Sequence, residues 1–242
     1  LYSLADTLFV GMMNDQIQNA AVALAAPALL AFNAEINLFG IGSSSMMSRA
    51  LGRGHLKTVC ASASLGFYGT VVSGALLSAL CYIFMQPFVV LLGGDINTAA
   101  ATTAYMNWAV VCGAIPTILN VVMGYMVRAE GASLHASIGT MSGCILNIIL
   151  DPFFILPWGL GMGAAGAGLA TFLSNCFACC YFFVLLMVRK KKTNINLNPK
   201  YLSLTKEIVF GVMEVGIPAA IQNLLNVTGM TILNNFVAGY GS

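Results

Sequence analysis

The sequence predicts an all-α protein that crosses a membrane several times, and three observations lead to this prediction. Of its 242 residues, 59% are hydrophobic and only 7% are charged, whereas an ordinary soluble domain has about 25% charged residues. Long runs such as 96–127 contain no charged residue at all. Apolar stretches of about 20 residues, long enough for a helix to cross a bilayer, recur along the chain. We therefore expect the lipid bilayer to surround most of the protein, and a net charge of +2 gives no indication of a nucleic-acid partner.

Six complete spans and one partial span follow from these stretches and from the polar or glycine-rich breaks between them. Residues 1–13 would form a helix of about 20 Å, too short for a hydrocarbon core of about 30 Å. We expect this segment to be the second half of a helix that is cut off at its start. The complete spans are predicted at 17–48, 58–85, 99–128, 134–156, 164–188 and 205–238.

The last predicted helix repeats the pattern of the first. At an offset of 228 residues, Gly239 lies over Gly11 and Asn234 over Asp6. Transporters are commonly built from two such repeats. We therefore predict an amino-terminal transmembrane lobe at 1–188, a cytoplasmic linker at 189–204, and the first helix of a carboxy-terminal lobe at 205–242.

The basic residues predict the orientation of the helices in the membrane. All ten Lys and Arg residues lie at the end of an even-numbered predicted helix or at the start of the next helix. Loops rich in Lys and Arg face the cytoplasm, so we predict a multi-pass protein of the cytoplasmic (inner) membrane. The run 189–192 alone would also be compatible with a nuclear signal or a lipid-binding patch, but we interpret it as a topology signal.

Four acidic residues stand out inside the predicted spans, where a charged group is costly and indicates a functional site. They are Asp6, Glu35, Asp151 and Glu214. Asp6 lies about seven residues from the predicted outer end of its helix and Asp151 about five. Thr171 lies about seven residues from the outer end of its own helix, so three polar groups on three helices share one depth.

The predicted fifth helix carries a second polar group beside its aspartate. Asn147 precedes Asp151 by four residues, so both lie on one face of the helix. Pro152 removes a backbone donor and disfavours helical geometry at the residue before it, so we expect the helix to be broken beside Asp151.

The resulting set of oxygen atoms has three possible roles. Carboxylate, amide, hydroxyl and freed carbonyl oxygens suit a small cation, so Asp6, Asn147, Asp151 and Thr171 could form a Na⁺ site. Two close, dry carboxylates could instead carry a proton. Asp6 and Asp151 could also be structural residues that join helices through neighbouring amides.

Five short segments together resemble the multidrug and toxic compound extrusion (MATE) family, of the bacterial DNA-damage-inducible and multidrug efflux type. They occur in the family's order and cover essentially the whole chain. The segments are ADTLFVG at 5–11, SRALG at 48–52, RAEG at 128–131, LNIILDP at 146–152 and GAAGAGLAT at 163–171.

The resemblance implies a twelve-helix, two-lobe transporter, monomeric when full length, of which this chain holds slightly more than half. It implies export of organic cations or other amphipathic compounds by alternating access, driven by H⁺ or Na⁺, with no enzymatic activity and no further cofactor. Four residues would form the cation-coupling site and three others are candidates for the substrate cavity. The coupling residues are Asp6, Asn147, Asp151 and Thr171, and the cavity candidates are Tyr2, Glu35 and Asn120.

Some assignments stay open at this point. Glu35 has no family role and is either a second proton acceptor or a structural residue, and Glu214 has no assigned role. A lipid-linked precursor flippase of the same superfamily is an alternative function. An intramembrane aspartyl protease is a more distant one, because neither Asp6 nor Asp151 lies in a GxGD context and both lie nearer one surface.

Overall fold

A computed structural model of the chain describes residues 8–13, 15–91, 96–190 and 192–240. Within these ranges the regular secondary structure is helical and contains no strand. Five stretches are long and apolar enough to cross a membrane, and there are six if a bent pair of helices counts as one span. The all-α membrane fold is therefore confirmed, and helices lie in each of the six segments predicted as complete spans. Of the partial span at 1–13, only residues 8–13 are described, and 8–12 are helical.

The first complete span, Gln16–Gly52, is a continuous succession of helices. It contains α1 (Gln16–Leu24), α2 (Ala26–Glu35), a π-helical segment (Ile36–Ile41) and α3 (Gly42–Gly52). Asp15 caps α1, because its Oδ1 accepts a hydrogen bond of 2.9 Å from the backbone N–H of Ile17.

The next span is α4 (Leu56–Ile83), followed by the short α5 (Met85–Leu91). The third is the bent pair, in which α6 (Ile96–Met106) and a π-helical segment (Asn107–Cys112) lead into α7 (Ala114–Ala129). The two halves of this span meet at an angle of 46°.

Gly113 lies at this bend. A Cβ atom on Gly113 would lie 2.3 Å from the carbonyl oxygen of Ala109. Only glycine therefore fits here, and the bend has the π-helical neighbour that commonly accompanies a kink.

Helices α8 (Ser133–Ile155) and α9 (Ala164–Val188) form a closely packed pair. A Cβ atom on Gly166 would lie 2.4 Å from the carbonyl oxygen of Phe154, so glycine lets the two backbones approach.

The predicted break at Pro152 is wrong, because α8 continues through Asp151 and Pro152 to Ile155. The proline lies in the last turn of the helix. Its ring removes the donor to the carbonyl of Ile148, but its fixed φ is compatible with helical backbone, and the chain leaves helical geometry only at Leu156.

The last helix, α10 (Lys206–Tyr240), packs against the second half of the first complete span. Glycines make this contact close on both sides. A Cβ on Gly42 would lie 2.4 Å from the carbonyl oxygen of Val212, and one on Gly216 would lie 2.1 Å from that of Leu38.

The segment between α9 and α10, described at 189–190 and 192–205, is mostly irregular, with one 3₁₀ turn at Pro199–Tyr201. Three side chains of α4 at successive helical turns donate hydrogen bonds to its carbonyl groups. The pairs are Cys60 to Asn194 at 3.2 Å, Ser64 to Asn196 at 2.8 Å and Tyr68 to Leu197 at 2.8 Å.

Glu130, directly after α7, also binds this segment. Its carboxylate accepts hydrogen bonds from the Thr193 hydroxyl at 2.6 Å and the Asn194 backbone N–H at 2.5 Å. The segment is therefore an ordered strap across one end of the helices. The division into lobe, linker and second-lobe helix stays a prediction.

Candidate functional site

The buried polar groups of the α8–α9 pair form a small cluster, which we call the α8–α9 site: Asn147, Asp151 and Thr171. The amide nitrogen of Asn147 lies 3.0 Å from Oδ1 of Asp151 and 3.3 Å from Oγ1 of Thr171. The structure thus brings together three of the four residues predicted for cation coupling. Asp6, the fourth, lies outside the described residues, as does the cavity candidate Tyr2.

Helical geometry accounts for this cluster. The buried side of α8 carries small residues and then polar ones at steps of three or four: Ala136, Gly139, Gly143, Asn147 and Asp151. Thr171 lies seven residues into α9 and Asp151 four residues before the end of α8. Because the loop between the two helices is short, both side chains lie near the same end of the pair.

The α8–α9 site is shielded from the surroundings. Asn147 and Asp151 have no exposed surface and Thr171 is 7% exposed. An isolated ionised carboxylate in such a place is costly, so a proton or a metal cation at Asp151 would offset the cost. Oδ1 of Asn147 has no hydrogen-bond partner among the described residues and is an additional oxygen for a cation.

The three residues supply only one carboxylate. The described part of the chain contains no group of three His, Cys, Asp or Glu residues able to hold a metal ion. Among these three residues, the oxygens available to a Na⁺ ion beside Asp151 are those of the Asn147 amide and the Thr171 hydroxyl.

A second buried polar cluster lies further along α9 and involves the cavity candidate Asn120. The amide nitrogen of Asn120 donates to Oδ1 of Asn175 at 2.8 Å, and that of Asn175 donates to the Thr117 hydroxyl at 2.9 Å. No hydrogen bond found in the described residues joins Asn120 directly to the α8–α9 site.

Asn175 and Thr117 were not predicted as site residues. Asn175 follows Thr171 by four residues and Thr117 precedes Asn120 by three, so helical spacing was the available indication. The two clusters therefore form consecutive levels on the buried side of α9.

The other two intramembrane acidic residues lie on different elements. Glu35, at the end of α2, is half-buried and accepts a hydrogen bond of 3.1 Å from the Ser73 hydroxyl on α4. Glu214 is exposed and lines a cleft of about 260 Å³ that also contains Arg49 and Arg53. Neither residue belongs to the α8–α9 site.

Several apolar spans, with buried asparagine, aspartate and threonine side chains between two of them, define a multi-pass membrane protein. The MatE family matches residues 1–153. The chain belongs to the MatE family.

Similarity to individual proteins extends over the whole chain. The chain is 32% identical over 244 residues to the multidrug export protein MepA of Staphylococcus saprophyticus, and the match covers all of this chain and 52% of that protein. It also resembles the inward-facing conformation of a multidrug resistance MATE family transporter of the MOP superfamily, with a TM-score of 0.85 and 26% identity, covering 92% of this chain and 50% of the other.

An outward-facing conformation of such a transporter matches equally well. The TM-score is again 0.85, at 25% identity, covering 97% of this chain and 51% of the other. The chain spans about half the length of the relatives it matches. MATE proteins are transporters and not enzymes, so the protease alternative is set aside.

Proposed function

We propose that the natural gene product is a cation-coupled antiporter of the cytoplasmic membrane that exports amphipathic organic cations by alternating access. The observation that carries this proposal is the fully buried Asn147–Asp151 pair with Thr171 at hydrogen-bond distance. The name of its Staphylococcus relative, a multidrug export protein, supports the substrate class.

The coupling step uses the cost of burying a carboxylate. When H⁺ or Na⁺ binds, Asp151 is neutralised or paired and is stable in its buried position. When the cation leaves, the carboxylate favours an arrangement of the helices that admits water or the cationic substrate. Cation and substrate therefore bind in alternation, which is the requirement for antiport.

The similarity to both transporter conformations supports the alternating-access step. A fold with equal TM-scores to inward-facing and outward-facing structures is expected to move largely as one body while its position relative to the rest of the transporter changes. In this proposal the substrate occupies the space toward Asn120, Glu35 and Tyr2, and Asp6 completes the coupling site.

The test is efflux of a fluorescent organic cation by the natural gene product in proteoliposomes, with Na⁺ and pH gradients imposed separately. One of the two gradients should drive efflux in the unaltered protein. Asp151→Asn should reduce this driven efflux by about tenfold or more, the range of a lost coupling energy, and Asp6→Asn should do the same.

The matched control is Asp15→Asn, the same change at an aspartate that caps α1. Asparagine is an equally good N-cap, so efflux should be unchanged in this variant. Full efflux by Asp151→Asn would reject the coupling site. Translocation of a lipid-linked saccharide without efflux of any cation would replace the antiporter by the flippase.

A further inference from the structure

An open groove lies where the first turn of α8 meets the last turn of α9, on the side predicted to be cytoplasmic. Its volume is about 710 Å³. One part of its lining is basic or hydrogen-bonding, with His135, Arg189, Lys190 and Lys192, and the other part is aliphatic, with Leu185, Met187 and Val188. The groove is at the opposite end of α8 and α9 from Asp151, so it is separate from the α8–α9 site.

The polar part of the groove has an excess of positive charge. Its lining contains no carboxylate, and the described residues form no ion pair with Arg189, Lys190 or Lys192. Glu130 lies beside Arg189 in a neighbouring crevice, where its carboxylate accepts hydrogen bonds from Thr193 and Asn194, and it offsets at most one of the three positive charges. The groove is thus suited to an anionic oxygen group such as a phosphate.

The apolar part of the groove continues along both helices. Met187 and Val188 are 73% and 79% exposed, which in water would leave two large apolar side chains unprotected. Exposed apolar side chains follow at helical spacing away from the groove. On α8 these are Leu134, Ile138, Met141 and Ile145, and on α9 they are Val184 and Phe177.

We propose that this groove binds one anionic phospholipid. The phosphate lies among Arg189, Lys190 and Lys192, with His135 as a further hydrogen-bond donor, and the acyl chains lie along the apolar stripes of α8 and α9. Charge complementarity selects the headgroup, and the continuity of the groove with both stripes selects a lipid over a free anion or a protein segment.

The experiment is native mass spectrometry of the full chain in detergent with added phosphatidylglycerol or phosphatidylcholine of the same acyl chains. The unaltered chain should retain one phosphatidylglycerol in preference to phosphatidylcholine. The triple variant Arg189→Gln, Lys190→Gln, Lys192→Gln should bind phosphatidylglycerol about tenfold or more weakly, because each basic residue near an anionic headgroup contributes to its affinity.

The matched control removes the same charge from exposed lysines outside the groove, as Lys57→Gln, Lys200→Gln, Lys206→Gln. It should bind phosphatidylglycerol like the unaltered chain. Equal loss in both triple variants would show a diffuse charge effect and overturn the site. Competition by inorganic phosphate at the same concentration as the lipid would show an anion site and overturn the lipid assignment. Both measurements are independent of transport, so a failure here leaves the proposed antiport untouched.

Discussion

The two faces of α8 have opposite chemistry. The buried face carries polar side chains, and the exposed face carries apolar ones, so neighbouring residues in the sequence differ in both respects. Asn147 has no exposed surface, whereas the adjacent Ile148 is 46% exposed. In a soluble helix the isoleucine would be inside and the asparagine outside. In a bilayer, lipid solvates the apolar face, and the inward face is free to carry polar groups that find partners on other helices. In this protein, the burial of a side chain therefore indicates the functional site more directly than its hydrophobicity does.

The largest expected effect comes from placing a charge on the lipid-facing side. Ile145 lies near the middle of α8 and is 54% exposed. Ile145→Asp should cost about 3–4 kcal/mol of insertion free energy and should sharply reduce the yield of folded protein in the membrane fraction.

Ile145→Leu is the control for this change and should leave the yield as it is. A normal yield of Ile145→Asp would mean that this face contacts protein or water and not lipid.

A smaller loss of stability is expected from a substitution that separates α8 from α9. Gly166→Ala places a Cβ 2.4 Å from the carbonyl oxygen of Phe154 on α8, and such overpacking costs about 1–3 kcal/mol. The midpoint of unfolding in an SDS titration should fall accordingly.

The same substitution at Gly229 is the comparison, because a Cβ there meets nothing within 4 Å. Gly229→Ala should preserve or slightly raise stability, since alanine is the better helix former. Equal midpoints for the two variants would show that α8 and α9 are not tightly packed.

The smallest effect on stability should come from the polar face itself. Thr171→Val removes the hydroxyl beside Asn147 and should cost about 0.6 kcal/mol, the average for such hydrogen bonds in membranes. The antiporter proposal nevertheless predicts a clear loss of coupled efflux in this variant, so stability and transport should separate.

Thr228→Val provides a control on α10, where the threonine hydroxyl bonds only to the carbonyl oxygen of Leu224 among the residues described. Thr228→Val should change neither the stability nor the coupled efflux much. A loss of efflux as large as that of Thr171→Val would show that the transport defect is not specific to the α8–α9 site.

Much of this arrangement could be predicted from the sequence because lipid imposes simple rules. Span length follows from bilayer thickness, and the positions of Asn147, Asp151 and Thr171 follow from helical periodicity and depth. The predicted break at Pro152 was wrong, because the local preference of proline against helical geometry was outweighed by the position of this residue in the last turn of the helix.

Other features depended on contacts that periodicity does not encode. Nothing in the sequence indicated that Glu130 would bind the segment after α9, or that Cys60, Ser64 and Tyr68 would bind it at successive turns. These are long-range bonds to backbone atoms, whose positions follow only from the assembled fold.

The strap has a consequence for how the protein is made. The side chains found to hold it, on α4 and at Glu130, all precede it in the chain, so each has been synthesised before residues 189–205 leave the ribosome. The nascent strap can dock on helices already in the membrane, and α10 then starts from a defined place. Assembly can therefore proceed in the order of translation, with the early helices serving as a template for the next.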